Sequence, residues 1–157
     1  MIRRTRLSLL FCLLAASSAF GQGERLESLQ GVRKIEVIVD DLTGDAATVG
    51  QTSRSLRTVV EGRLLPAGPE VADFAVGFLR LTLLAAHPAG SPDYAVHVEL
   101  SFHQPAAASL NRWMGPAETW SESGLLVTDE GDVGAAVRRE VERLVDRFLT
   151  DWRTANS

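Results

Sequence analysis

Three side chains capable of chemistry lie close together in YAVHVELSFHQ, residues 94–104: His97, Glu99 and His103, with Ser101 between the last two. Two imidazoles and a carboxylate are the raw material of a zinc site or of general acid–base catalysis. Alternation decides how they are arranged. Val96, Val98, Leu100 and Phe102 fall on every second position, which marks a strand with that set facing the core. His97, Glu99, Ser101 and His103 then share the opposite, solvent-facing side. A strand rises about 3.3 Å per residue, so His97 and His103 stand roughly 20 Å apart. Zinc ligands bind within about 2.2 Å of the ion, so the two histidines cannot share one metal. Only His97 with Glu99 could chelate together, with His87 in the preceding loop as a third ligand. That arrangement is the weaker alternative; a polar strand face in water is the simpler one.

Other candidate contacts lie outside this strand. Arg139, Arg143 and Arg147 recur every four residues near the C-terminus and could grip an anionic group. Arg143 with Asp146 and Arg147 with Asp151 are spaced as intrahelical pairs that would absorb much of that charge. Trp113, beside Met114 and before a turn, is the aromatic best placed to touch a sugar or a peptide. The acidic run Asp129-Glu130-Gly131-Asp132 is too short for a calcium loop and suits a helix N-terminus. There is no G-x-S-x-G, phosphate loop, dinucleotide glycine fingerprint or H-E-x-x-H. No cofactor is implied, and the sequence leans away from an enzyme.

The elements that must carry these residues follow from periodicity. Val32–Val39 alternates Ile35, Val37 and Val39 as a first strand. Ala46–Leu65 has apolar residues at three- and four-residue intervals, a helix capped by Asp45 or Thr48 and stopped by Pro66. Val71–Leu84 is apolar at almost every position and reads as a central strand buried on both faces. It forms an antiparallel hairpin with Tyr94–Gln104. Pro105 interrupts that strand, which resumes over Ala106–Trp113 past a bulge, and Gly115-Pro116 turns the chain into a fourth strand, Ala117–Ser123. Val133–Arg153 is a helix with a stripe of Val133, Val137, Val141, Leu144, Val145, Phe148, Leu149 and Trp152. Trp120 and Trp152 are expected in the core. The expected fold is α+β: a four-stranded, mostly antiparallel sheet with two helices on one face, in the order β-α-β-β-β-α.

The ends and the charge bound the setting. Arg3, Arg4 and Arg6 precede an apolar stretch, Leu7–Ala16, too short to span a bilayer, and Ala19-Phe20-Gly21 fits a cleavage site. Residues 1–21 therefore read as a signal peptide, cut after Ala19 or Gly21, and residues 22–157 as a single domain. Cys12, the sole cysteine, leaves with the leader, so disulfides, thiolate catalysis and cysteine-bound zinc are excluded from the exported chain. The formal charge is −4, and without the leader's three arginines thirteen cations face twenty acids, −7. Such a surface does not favour nucleic acid.

The leader, GVRKIEVIVDDL, the helix end VEGRLLPAGPEV, the hairpin FLRLTLL…YAVHVELSFHQ, the ETW strand and the closing VDRFLTDW together resemble a family of small, exported, uncharacterised bacterial proteins. The element order is also similar to periplasmic α+β accessory domains, such as those near the Tol system or the lipoprotein activators of peptidoglycan synthases. The resemblance implies export to the periplasm or medium, and no catalytic residues carry over from it. The function expected is a non-enzymatic binding or envelope accessory role, with an envelope protein or a glycan as partner. Alternatives are a hydrolase, metal-dependent or otherwise, using His97, Glu99 and His87, and a self-assembling structural subunit.

Overall fold

The structure, a computed structural model, describes residue 23 and residues 25–108, 110 and 113–157. The expected signal peptide lies outside the described residues. The chain forms β1 (Lys34–Val39), a 3-10 turn (Gly44–Thr48), α1 (Ser53–Leu64), β2 (Glu70–Val71), β3 (Gly77–Ala86), β4 (Asp93–Ala107), β5 (Met114–Asp129) and α2 (Val133–Ala155). Residues 25–27 add a short helical lead-in. The sheet is five-stranded, in the order β2-β1-β3-β4-β5, and mixed: β1 runs parallel to β2 and β3, while β3, β4 and β5 are antiparallel. The α+β class holds, and α1 and α2 are the two helices expected, but with the further helical segments the helix count, the strand count and the mostly antiparallel bias differ. The extra strand is β2, two residues long, which is too short to show any alternation.

The helix expected from Ala46 begins at Ser53. Gly50 takes a positive φ of 72°, which ends the 3-10 turn and forbids a continuous helix. Thr52 then opens α1 with a reciprocal cap: its side chain accepts from the Ser55 N–H at 3.0 Å, and the Ser55 hydroxyl accepts from the Thr52 N–H at 3.0 Å. Ala46 and Val49 are buried all the same, which is why their spacing imitates a helix. At α2 the Asp132 side chain makes no cap; Asp129 accepts from the Asp132 N–H instead.

β3 is the middle strand, but it is not buried on both faces. Gly77, Leu79, Leu81 and Leu83 are buried, while Arg80 and Leu84 are exposed. Both helices cover the same side, α1 over β1 and β2 and α2 over β4 and β5, so among the described residues the other side has no second layer. Ile35, Val37, Val96, Val98, Leu100, Phe102 and Trp120 supply the sheet's half of the core, and Leu56, Val60, Leu64, Val137, Val141, Leu144, Val145, Phe148 and Leu149 the helices' half. The α2 stripe is as expected except at Trp152, which is half-buried and donates to the Val32 carbonyl at 2.8 Å.

β4 does not stop at Pro105. Pro105 faces Pro116 on β5, so the two prolines share one rung of the ladder. The irregularity lies earlier, at Phe102/His103, where β5 carries one extra residue. The expected Gly115-Pro116 turn is strand, and beyond the ends of β4 and β5 the Ala108 N–H donates to the Trp113 carbonyl at 2.8 Å.

Gly77 has a packing duty. A Cβ there would sit 2.7 Å from the Phe102 ring and 3.2 Å from the His103 carbonyl. Phe102 is itself fully packed, so neither neighbour can retreat. Gly77→Ala is expected to lower unfolding free energy by about 1–3 kcal/mol, read by urea denaturation.

Candidate functional site

The strand registers turn the helix-free side into a grid. Its rows run Phe78–His103–Glu118, Arg80–Ser101–Ser121, Thr82–Glu99–Ser123, Leu84–His97–Leu125 and Ala86–Ala95–Val127. His97, Glu99, Ser101 and His103 thus form one column on β4, opposite Val96, Val98, Leu100 and Phe102, each at most 1% exposed.

The lower rows are knitted to themselves. The Ser101 hydroxyl lies 3.0 Å from His103 Nε2, and the His103 ring stacks on Phe78 at 4.8 Å and 4°. Ser101, expected in water, is only 3% exposed beneath these neighbours. Arg80 Nε donates to both Asp40 oxygens at 2.9 and 3.1 Å, and the Thr82 hydroxyl donates to Asp40 at 2.8 Å. The serine beside a histidine does not make a working nucleophile. Among the described residues no carboxylate is bonded to the histidine to orient it. Both residues also sit mid-ladder, where backbone N–H groups are committed to neighbouring strands and leave no oxyanion donors.

The metal alternative finds no geometry. The cross-strand neighbours of His97 are Leu84 and Leu125, neither a ligand. His87 stacks on Tyr94 at 4.1 Å, on the helix side, and its Nε2 lies 2.9 Å from the Ser91 carbonyl. No group of three or more His, Cys, Asp or Glu among the described residues could hold an ion.

The upper rows differ in kind. Leu84, Leu125 and Val127 are 62%, 72% and 73% exposed and surround His97 and Ala95. Large aliphatic side chains on adjacent rows of an uncovered sheet are what an interaction surface exposes. Sequence reading misses all three. Leu84 hides in an unbroken apolar run that reads as buried on both faces, and the expected fourth strand ends at Ser123, short of the other two. The alternation of Leu125 and Val127 is the available signal.

The remaining expected contacts lie elsewhere. Arg139, Arg143 and Arg147 belong to α2, on the opposite layer, and Trp113 lies in the β4–β5 connection, so the eight residues do not form one surface. Arg143 pairs with Glu140 at 2.6 Å rather than with Asp146, and that hydrogen bond holds its pKa above the ordinary arginine value. Asp146 instead meets Arg63 of α1 at 2.7 Å. Arg147 does meet Asp151, at 3.5 Å.

Asp151 anchors a second cluster that sequence reading does not find. It is 6% exposed and accepts from Trp120 Nε1 at 3.0 Å. Arg25 stands 4.7 Å from the Trp120 ring, bonds Glu122 at 2.8 Å and lies 3.6 Å from Asp151. The spacing Val137, Leu144, Asp151 puts this acid on the apolar stripe, a signal that it needs a buried partner.

No family model matches the chain, and no curated protein does. Among solved structures it is similar to a PelC dodecamer from Paraburkholderia phytofirmans, at 13% identity over 78% of this chain and 87% of that one, with a TM-score of 0.44. It is also similar to a minor lipoprotein from Acinetobacter baumannii, at 13% identity over 77% and 90% of the two chains, with a TM-score of 0.38.

Proposed function

We propose that this is an exported, non-enzymatic binding protein of the bacterial envelope, whose partner seats on the helix-free side of the sheet. The observation that carries the reading is the corner formed by Leu84, Leu125 and Val127 around His97. An aliphatic corner beside a polar column fits a protein partner: burial of the leucines supplies affinity, and His97 with Glu99 supplies orientation. A glycan would call for flat aromatic platforms, which this corner lacks. Export rests on the leader, Arg3 to Gly21.

The test is capture from envelope extract by the immobilised protein, run beside Leu125→Asp. Capture of one protein by the original chain and its loss with the variant supports the reading. Equal capture by both, no capture at all, or binding only to glycans contradicts it. If the captured species is a second copy of the chain, the self-assembling alternative replaces it.

A further inference from the structure

Nine large hydrophobic side chains are exposed among the described residues, and they fall in two places. Three are the sheet corner. The other six, Leu65, Phe74, Val76, Leu110, Trp113 and Met114, lie at one end of the molecule. The topology requires this. β1 and β3 begin at that end, β4 finishes there and β5 starts there, and α1 must run back to it for β2 to lie parallel to β1. Phe74 is 93% exposed and Val76 81%. Phe74 also adopts φ 61°, a left-handed conformation unfavourable for a bulky side chain. Beside it opens a cleft of about 520 Å³ between residues 30–34 and the Phe74–Gly77 loop, floored by Phe102 and edged by Arg33 and Lys34.

The opposite end is acidic. Asp41, Asp45, Asp93, Asp129, Glu130 and Asp132 are all exposed there, and none of them enters an ion pair with a described residue. Arg54 and Arg138 are nearby cations, and Arg138 is matched by Glu142 at 3.2 Å. At the apolar end Lys34 is matched by Glu70 at 3.0 Å, while Arg33 has no ion-pair partner among the described residues. Six exposed acids without ion-pair partners among the described residues are thus gathered at one pole, and six of the nine exposed large apolar side chains at the other.

We infer that the apolar pole docks on a lipid bilayer, with Phe74 and Val76 entering the interface and Arg33 facing lipid phosphate. Side chains this exposed, aromatic and aliphatic on one loop, can enter the headgroup region of a bilayer. The charge distribution selects the same orientation, because an anionic membrane repels the other pole.

The test is co-sedimentation of the protein, purified after export, with phosphatidylethanolamine–phosphatidylglycerol vesicles, comparing it with Phe74→Asn/Val76→Ser. Asparagine tolerates the left-handed conformation, so the double variant should melt no lower than the original chain. The protein is expected to sediment with vesicles, and the double variant to partition roughly a hundredfold more weakly, about tenfold for each side chain. Leu125→Asp, on the other surface, should sediment as the original does, which separates this inference from the sheet-corner reading. Absence of sedimentation, or equal sedimentation of the double variant, would overturn it. Leu110→Ser, at the same pole, gives a second reading and should also weaken partition.

Discussion

Trp120→Ala should cost about 3–5 kcal/mol of unfolding free energy, among the largest single losses this core can suffer. Trp120 is 2% exposed and meets Phe148 edge-on at 5.2 Å. Its removal leaves the largest void a core substitution can make. It also takes the N–H from Asp151, a carboxylate held between β5, α2 and the lead-in at Arg25. Stability of a domain this size totals about 5–15 kcal/mol, so the variant should be only marginally folded at ambient temperature. Trp120→Phe separates the two contributions. It keeps most of the apolar volume and loses the donor, and should cost about 1–3 kcal/mol. Urea denaturation of both variants checks this. Equal losses would mean that the hydrogen bond to Asp151, rather than packing, dominates the site.

The second large effect concerns binding. Leu125→Asp combined with Val127→Asp places two carboxylates in the sheet corner. Central apolar contacts of an interface are worth about 2 kcal/mol or more each, so affinity for the captured partner should fall at least roughly thirtyfold. Both positions are more than 70% exposed in the free protein, so the melting transition should hardly move. Calorimetry against the partner and a thermal melt of the same sample give both halves. A large loss of binding with an unchanged melt isolates the corner; a lowered melt would mean that the corner is part of the fold and not a free surface.

What is legible in the sequence is whatever repeats. The alternation in VRKIEVIV and YAVHVELSFHQ and the seven-residue recurrence on α2 each extend over several periods, and those elements stand where periodicity puts them. β2 has two residues and no period to detect. β3 misleads because Phe78 and Leu84 are apolar yet point away from the helices, so hydrophobicity alone overstates its burial. The start of α1 misleads because Ala46 and Val49 enter the core from a 3-10 turn. For the site, alternation places His97, Glu99, Ser101 and His103 on one face correctly. It cannot show that Ser101 is covered by Phe78 and His103, or that Leu84 and Leu125 flank His97, because those facts depend on cross-strand register. Register is set by turn geometry and by the bulge at Phe102/His103, and the sequence does not display the bulge. The arginine stripe and Trp113 join the candidate surface on chemistry alone; the stripe lies on the helix layer and Trp113 in the β4–β5 connection.

If a partner binds the uncovered side of the sheet, photo-crosslinking in the producing cell reveals it most directly, with a photoreactive residue at Leu125 on the sheet or at Arg138 on the exposed side of α2. The expected result is a discrete adduct with another envelope protein from position 125 and none from position 138. Adducts from 138 alone, or none from 125, would contradict binding at the sheet.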